Sequence, residues 1–222
     1  MSPFDLKLDQ GKGRVFVILH QVGRYDPYHT QLTSALLEHC RVVHLEMSAG
    51  RVLDYNRLVD ELHDKIKALG LRQFSFVAFG SCCTLAQLYA LRHLRSLRTL
   101  VLIDASPRPS PGILEQLSDW LEKILPLGLP LRGSTKGFLG TSFLQRIRCP
   151  TLLILSPNSG SYTAGQFDQM LDGLPTAWGL KIKDWSEFDD IEKAVLEFQQ
   201  VPAKCPQKNR ASTPQVTGQQ AL

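Results

Sequence analysis

The chain alternates short unbroken apolar runs with longer stretches whose apolar residues recur every three or four positions. The run from Arg14 to Leu19 (RVFVIL) is the first of these and reads as a strand buried on both faces, as in a parallel sheet. His20–Tyr28 reads as a loop. Residues 30–39 carry Leu32, Ala35 and Leu36 at i, i+3 and i+4, and predict an amphipathic helix. Arg41–Met47 is a second strand. Asp54 suits a helix N-cap, and the helix after it is expected to run through Leu69 and stop at Gly70. Phe74–Phe79 and Thr99–Ile103 are the third and fourth strands, the fourth ending in Asp104. Thr151–Leu155, after Pro150, is the fifth and Ala177–Ile182 the sixth. Further helices are expected over Thr84–Leu91, Ile113–Leu125, Gly165–Leu171 and Ile191–Phe198. Residues 106–112 hold three prolines and break regular structure. Strands alternating with helices predict an α/β fold: a doubly wound, mostly parallel sheet with right-handed crossovers and helices on both faces.

Length adds that residues 1–200 of the 222 form one domain. From Val201 the chain turns to Pro, Gln, Lys, Ser and Thr, the composition of a disordered tail. The net charge is +4, of which Lys204, Lys208 and Arg210 of that tail supply three, leaving the body near +1. A near-neutral body argues against a nucleic-acid binder. The basic group Arg92, His93, Arg95 and Arg98 reads as a solvated helix end favoured by the helix dipole. No apolar run reaches the roughly 18–20 residues that cross a bilayer. The opening MSPFDLKLDQGKG has no apolar signal core, so a cytoplasmic location is expected. The five cysteines (40, 82, 83, 149 and 205) form no C-x-x-C pair and read as reduced thiols. There is no P-loop and no G-x-G-x-x-G after a strand, hence no expected nucleotide cofactor. His39, Cys40 and His44 flank a strand start at a spacing that does not converge on one ion, so no metal site is read and no cofactor of any kind is expected.

The stretch Phe74–Leu91, FSFVAFGSCCTLAQLYAL, joins an apolar strand to a buried helix through Gly80-Ser81-Cys82-Cys83. It resembles the G-x-S-x-G nucleophile elbow of the α/β-hydrolases, with Leu85-Ala86 as the Leu-Ala that commonly follows. In that register the first glycine falls on Ala78, the nucleophile on Gly80 and the second glycine on Cys82. The order of the remaining elements resembles the same family over about residues 13–200. His20 ends a central strand as in the family's His-Gly oxyanion loop. VLIDASPRP looks like the strand leading into the lid, here about residues 106–146. Ile147–Leu155 (IRCPTLLIL) resembles the strand that delivers the catalytic acid, and Ile191–Phe198 the final helix.

The resemblance implies a Ser-His-Asp triad, and this chain departs from it at each member. Gly80 has no side chain to attack with. The loop Ser156–Tyr162, where the acid is expected, contains no Asp or Glu. Residues 184–188, where the base is expected, read DWSEF, and all six histidines (20, 29, 39, 44, 63 and 93) lie in the first 93 residues. Nucleophilic chemistry of this type needs a general base within hydrogen-bond reach. His20 is followed by Gln21 rather than glycine, which alters the oxyanion loop.

Displaced machinery is the competing reading. Cys82, in the shifted register Gly80-Ser81-Cys82-Cys83-Thr84, weakly matches the cysteine elbow of dienelactone-hydrolase-like enzymes, and Ser81 is the neighbouring hydroxyl. Asp104, at the end of the fourth strand, stands where some hydrolases place their acid. The bland readings are small buried cysteines, a hydrogen-bonding Asp104 at a loop start, and a loop-fixing His20. Two functions follow. One is a non-catalytic protein of this fold that binds a small apolar ligand or a protein partner, its pocket drawn from His20, Gln21, Gly80, Ser81 and Asp104. The other is a small esterase or thioesterase led by Cys82 or Ser81.

Overall fold

The computed structural model describes residues 2–22, 27–48, 55–105, 143–157, 164–182 and 188–200. Seven strands form one sheet: β1 (Phe4–Gln10), β2 (Val15–Gln21), β3 (Arg41–Met47), β4 (Phe74–Phe79), β5 (Leu97–Ile103), β6 (Thr151–Leu155) and β7 (Ala177–Lys181). Their order is β1-β3-β2-β4-β5-β6-β7, with every neighbouring pair parallel except β1 against β3. The described helices are α1 (Pro27–Leu37), α2 (Tyr55–Ala68), α3 (Cys82–Arg92), α4 (Ala164–Gly173) and α5 (Phe188–Phe198), with a 3-10 turn over Leu94–Ser96.

The expected strands appear where the apolar runs are. All six residues of β4 are buried, because a central parallel strand has a helix layer over each face. The alternation along each strand divides the core in two. Val17, Leu19, Val43, Leu45, Phe74, Phe76, Ala78, Leu100, Leu102 and Leu153 face α2, α3 and α4. Phe16, Ile18, Val42, Val77, Phe79, Val101, Ile103, Leu152 and Ile154 face α1 and α5. Helix α2 stops as its sequence predicts. Gly70 takes φ +70°, its N–H reaches Lys67 O (3.0 Å), and the Leu71 N–H reaches Ile66 O (3.2 Å).

One strand is additional. Residues 4–10 were not expected to join the sheet, yet β1 pairs antiparallel with β3 from Phe4↔Met47 to Gln10↔Val42. It is an edge strand in which Phe4 is buried while the charged residues Asp5 and Lys7 stay exposed. The helix expected over Ile113–Leu125, the lid at about 106–146 as far as residue 142, and the tail from 201 lie outside the described residues. So do Asp54, residues 184–187 and most of the loop after β6. Among the described residues no helix is long and apolar enough to cross a membrane.

Candidate functional site

The sheet reverses its winding between β2 and β4. The connection from β2 enters α1 on one face, whereas the connection from β4 enters α3 on the other. Such a switch point leaves a crevice at the strand C-terminal ends, the usual ligand position in open α/β sheets. Gln21 ends β2 there, and Gly80-Ser81 follow β4.

The turn from β4 into α3 pivots on Gly80, which has φ +52°. That left-handed conformation costs an L-residue with a side chain roughly 1–2 kcal/mol, and glycine little. The Gly80 N–H donates to Ile103 O (2.9 Å), tying the pivot to β5, and Gly80 O accepts from the Cys83 N–H (3.1 Å). Ser81 is already helical at φ −62° and ψ −27°. Its hydroxyl makes no cap; it donates to Gln21 Oε1 at 2.5 Å. Cys82 and Cys83 open α3 with no exposed surface. The Cys83 thiol lies 3.2 Å from Ala78 O and 3.3 Å from Ile103 O. Burial, with Cys82 and Asp104 nearby, pushes its pKa well above the usual thiol value.

Asp104 is a second left-handed position, at φ +55°. Its carboxylate accepts from the Ser156 N–H (2.8 Å) and the Ser156 hydroxyl (2.5 Å), bridging the ends of β5 and β6. Asp and Asn tolerate this conformation better than most residues with side chains.

His20 faces the α1 layer. Its ring stacks on His29 with centroids 4.3 Å apart, and its Nδ1 lies 3.3 Å from His44 Nε2. Burial, with His29 beside it, holds the His20 imidazole below its ordinary pKa against the pull of Glu46. The same two effects, with His20 as first charged neighbour, bring His44 down to about 4.

Solved structures match this fold over most of the chain. An esterase from Exiguobacterium antarcticum aligns with TM-score 0.68 and 14% identity, over 88% of this chain and 95% of its own. A meta-cleavage product hydrolase from Pseudomonas fluorescens IP01 aligns at 0.66 and 15%, over 88% and 93%. An enol-lactonase from Burkholderia xenovorans LB400 aligns at 0.64 and 13%, over 88% and 95%. The chain has the α/β-hydrolase fold. No protein-family model matches it, and no curated protein sequence matches it.

In this α/β-hydrolase-fold chain, the left-handed pivot coincides with the residue that the motif alignment puts at the nucleophile. That residue is Gly80. Of the five pocket candidates, the structure joins Gln21, Gly80 and Ser81 around the switch point. Asp104 accepts from the Ser156 N–H and hydroxyl at the start of the loop after β5. His20 belongs with His29, His44 and Glu46. Sequence reasoning missed that histidine group. It is assembled by the pairing of β2 with β3 and by α1, and no local spacing announces it.

Proposed function

We propose that this chain is a non-catalytic member of the α/β-hydrolase fold that works by binding a small apolar ligand or a protein partner. The observation that carries this reading is the left-handed pivot at Gly80. The one backbone position that the elbow presents for attack bears no nucleophile. The chemistry of the surroundings supports it. Ser81, the nearest hydroxyl, is held by an amide oxygen that is a poor base. The chain after His93 has no histidine to supply one. The binding edge in this reading is the switch-point crevice, where Gln21 and Ser81 meet across the ends of β2 and β4.

The alternative is an ester or thioester hydrolase with a displaced nucleophile. It draws support from the hydrolases among the structural neighbours and from the partial exposure of Ser81 at the start of α3. Cys82 is the weaker candidate, since its side chain is sealed from solvent. Restoring the missing hydroxyl tests the binding reading. Gly80→Ser should remain inactive toward an activated ester, because no base or acid accompanies it. Clear turnover by that variant would overturn the binding reading.

A further inference from the structure

His20, His29 and His44 are far apart in the chain and converge in the fold. β2 and β3 pair in register Ile18↔His44 and His20↔Glu46, so His20 and His44 are diagonal neighbours on one sheet face. His29, in the first turn of α1, stacks over His20 and meets the edge of Phe79, the residue before Gly80. One ring nitrogen from each of the three histidines lies within 4.8 Å of the others. His20 and His44 are 8% and 9% exposed, and His29 is partly buried.

From this convergence we propose that His20, His29 and His44 form a binding site for a divalent transition-metal ion of the zinc class. Imidazole nitrogens suit Zn²⁺ and its neighbours, and three protein ligands leave one tetrahedral position for water or a ligand. The spacing fits. With metal–nitrogen bonds of about 2.0–2.1 Å, two nitrogens on one tetrahedral ion stand roughly 3.3–3.4 Å apart. His20 Nδ1 and His44 Nε2 are 3.3 Å apart. The outer partner is also in place. The other nitrogen of His20, Nε2, faces Glu46 Oε1 at 3.7 Å, and Lys7 holds the second Glu46 oxygen at 2.6 Å. A carboxylate behind a ligating histidine fixes the tautomer, here directing the lone pair of Nδ1 toward the cluster.

The test uses the full chain freed of metal by a chelator. Zn²⁺ titrated in a calorimeter should bind at one equivalent with micromolar or tighter affinity. His29→Ala removes a partly exposed ligand and should weaken binding by about tenfold or more, as should Glu46→Gln through the outer partner. His29→Phe keeps a ring in place should the alanine variant fail to fold. Co²⁺ in place of Zn²⁺ should give the visible bands of a four-coordinate nitrogen and oxygen site. Any one of three results would overturn the proposal. These are no uptake by the intact chain, uptake that His29→Ala and His29→Phe both leave unchanged, or a Co²⁺ spectrum dominated by thiolate charge transfer, which would put the ion on the cysteines.

Discussion

The hydroxyl of Ser81 is bonded to Gln21 Oε1 at 2.5 Å across 60 residues of sequence. The contact links the C-terminal ends of β2 and β4 across the switch point. It also occupies the one hydroxyl in the Gly80–Cys83 turn. Gln21→Ala should free that hydroxyl and still give no esterase activity, because releasing Ser81 supplies no base. The stability cost should be about 1 kcal/mol, the net worth of one hydrogen bond, read from a denaturant titration.

Gly80→Ser puts a side chain on a residue at φ +52°. The variant should lose roughly 1–2 kcal/mol of stability and a few degrees of melting temperature. An unchanged melting temperature would mean that the pivot carries no strain.

Asp104 and Ser156 form a second such pair. Asp104→Ala removes two acceptor contacts and leaves a left-handed alanine, so a loss of about 2–3 kcal/mol is expected. Asp104→Asn keeps the backbone preference and should lose less. In a double-mutant cycle with Ser156→Ala, the coupling should be of order 1 kcal/mol. A coupling near zero would show that the bridge does not hold the two strand ends.

Gln87 lies in α3 with no exposed surface, and neither its side-chain oxygen nor its nitrogen finds a partner among the described residues. An unpaired buried amide costs about 1–3 kcal/mol. Gln87→Leu should therefore raise the melting temperature by a few degrees, as read by calorimetry. A fall would mean that the amide has a partner in the folded chain.

The buried thiols set a pH dependence. Burial pushes Cys149 up to about 11 and Cys83 well above its usual value. Both stay protonated in the folded chain at pH values where an unfolded thiol has lost its proton. The unfolded state then binds fewer protons, so stability falls as pH rises from about 9 toward 11. Cys149 alone contributes about 2–3 kcal/mol to this fall by pH 11. Denaturant midpoints between pH 8 and 11 measure it. At neutral pH, iodoacetamide should leave Cys83 and Cys149 unlabelled in the native chain and label them once it is unfolded.

The readable parts of the fold were those written in consecutive residues. β4 is six apolar or small residues with both faces covered, and the run declares itself. Gly80 was legible as the pivot because the strand before it and Leu85-Ala86 after it fix the register. β1 was missed because its alternating FDLKLDQ carries Asp5, Lys7 and Asp9 on an exposed edge. The alternation was there, but without a partner strand it does not distinguish an edge strand from a polar leader. Gln21 with Ser81, and His20 with His44, were illegible for another reason. Each pair depends on strand order and register, which no local pattern encodes. His20 meets His44 because β3 pairs with β2, and the separation of 24 positions has no period that marks the meeting.

A frame that binds rather than catalyses, as proposed, does not attack esters. The purified native protein is treated with a fluorophosphonate probe and, separately, with iodoacetamide, beside Ser81→Ala and Cys82→Ala variants. No labelling above that of the denatured chain is expected in any of the three. Labelling of the native protein that disappears in Ser81→Ala or Cys82→Ala would identify a live nucleophile and contradict the binding reading.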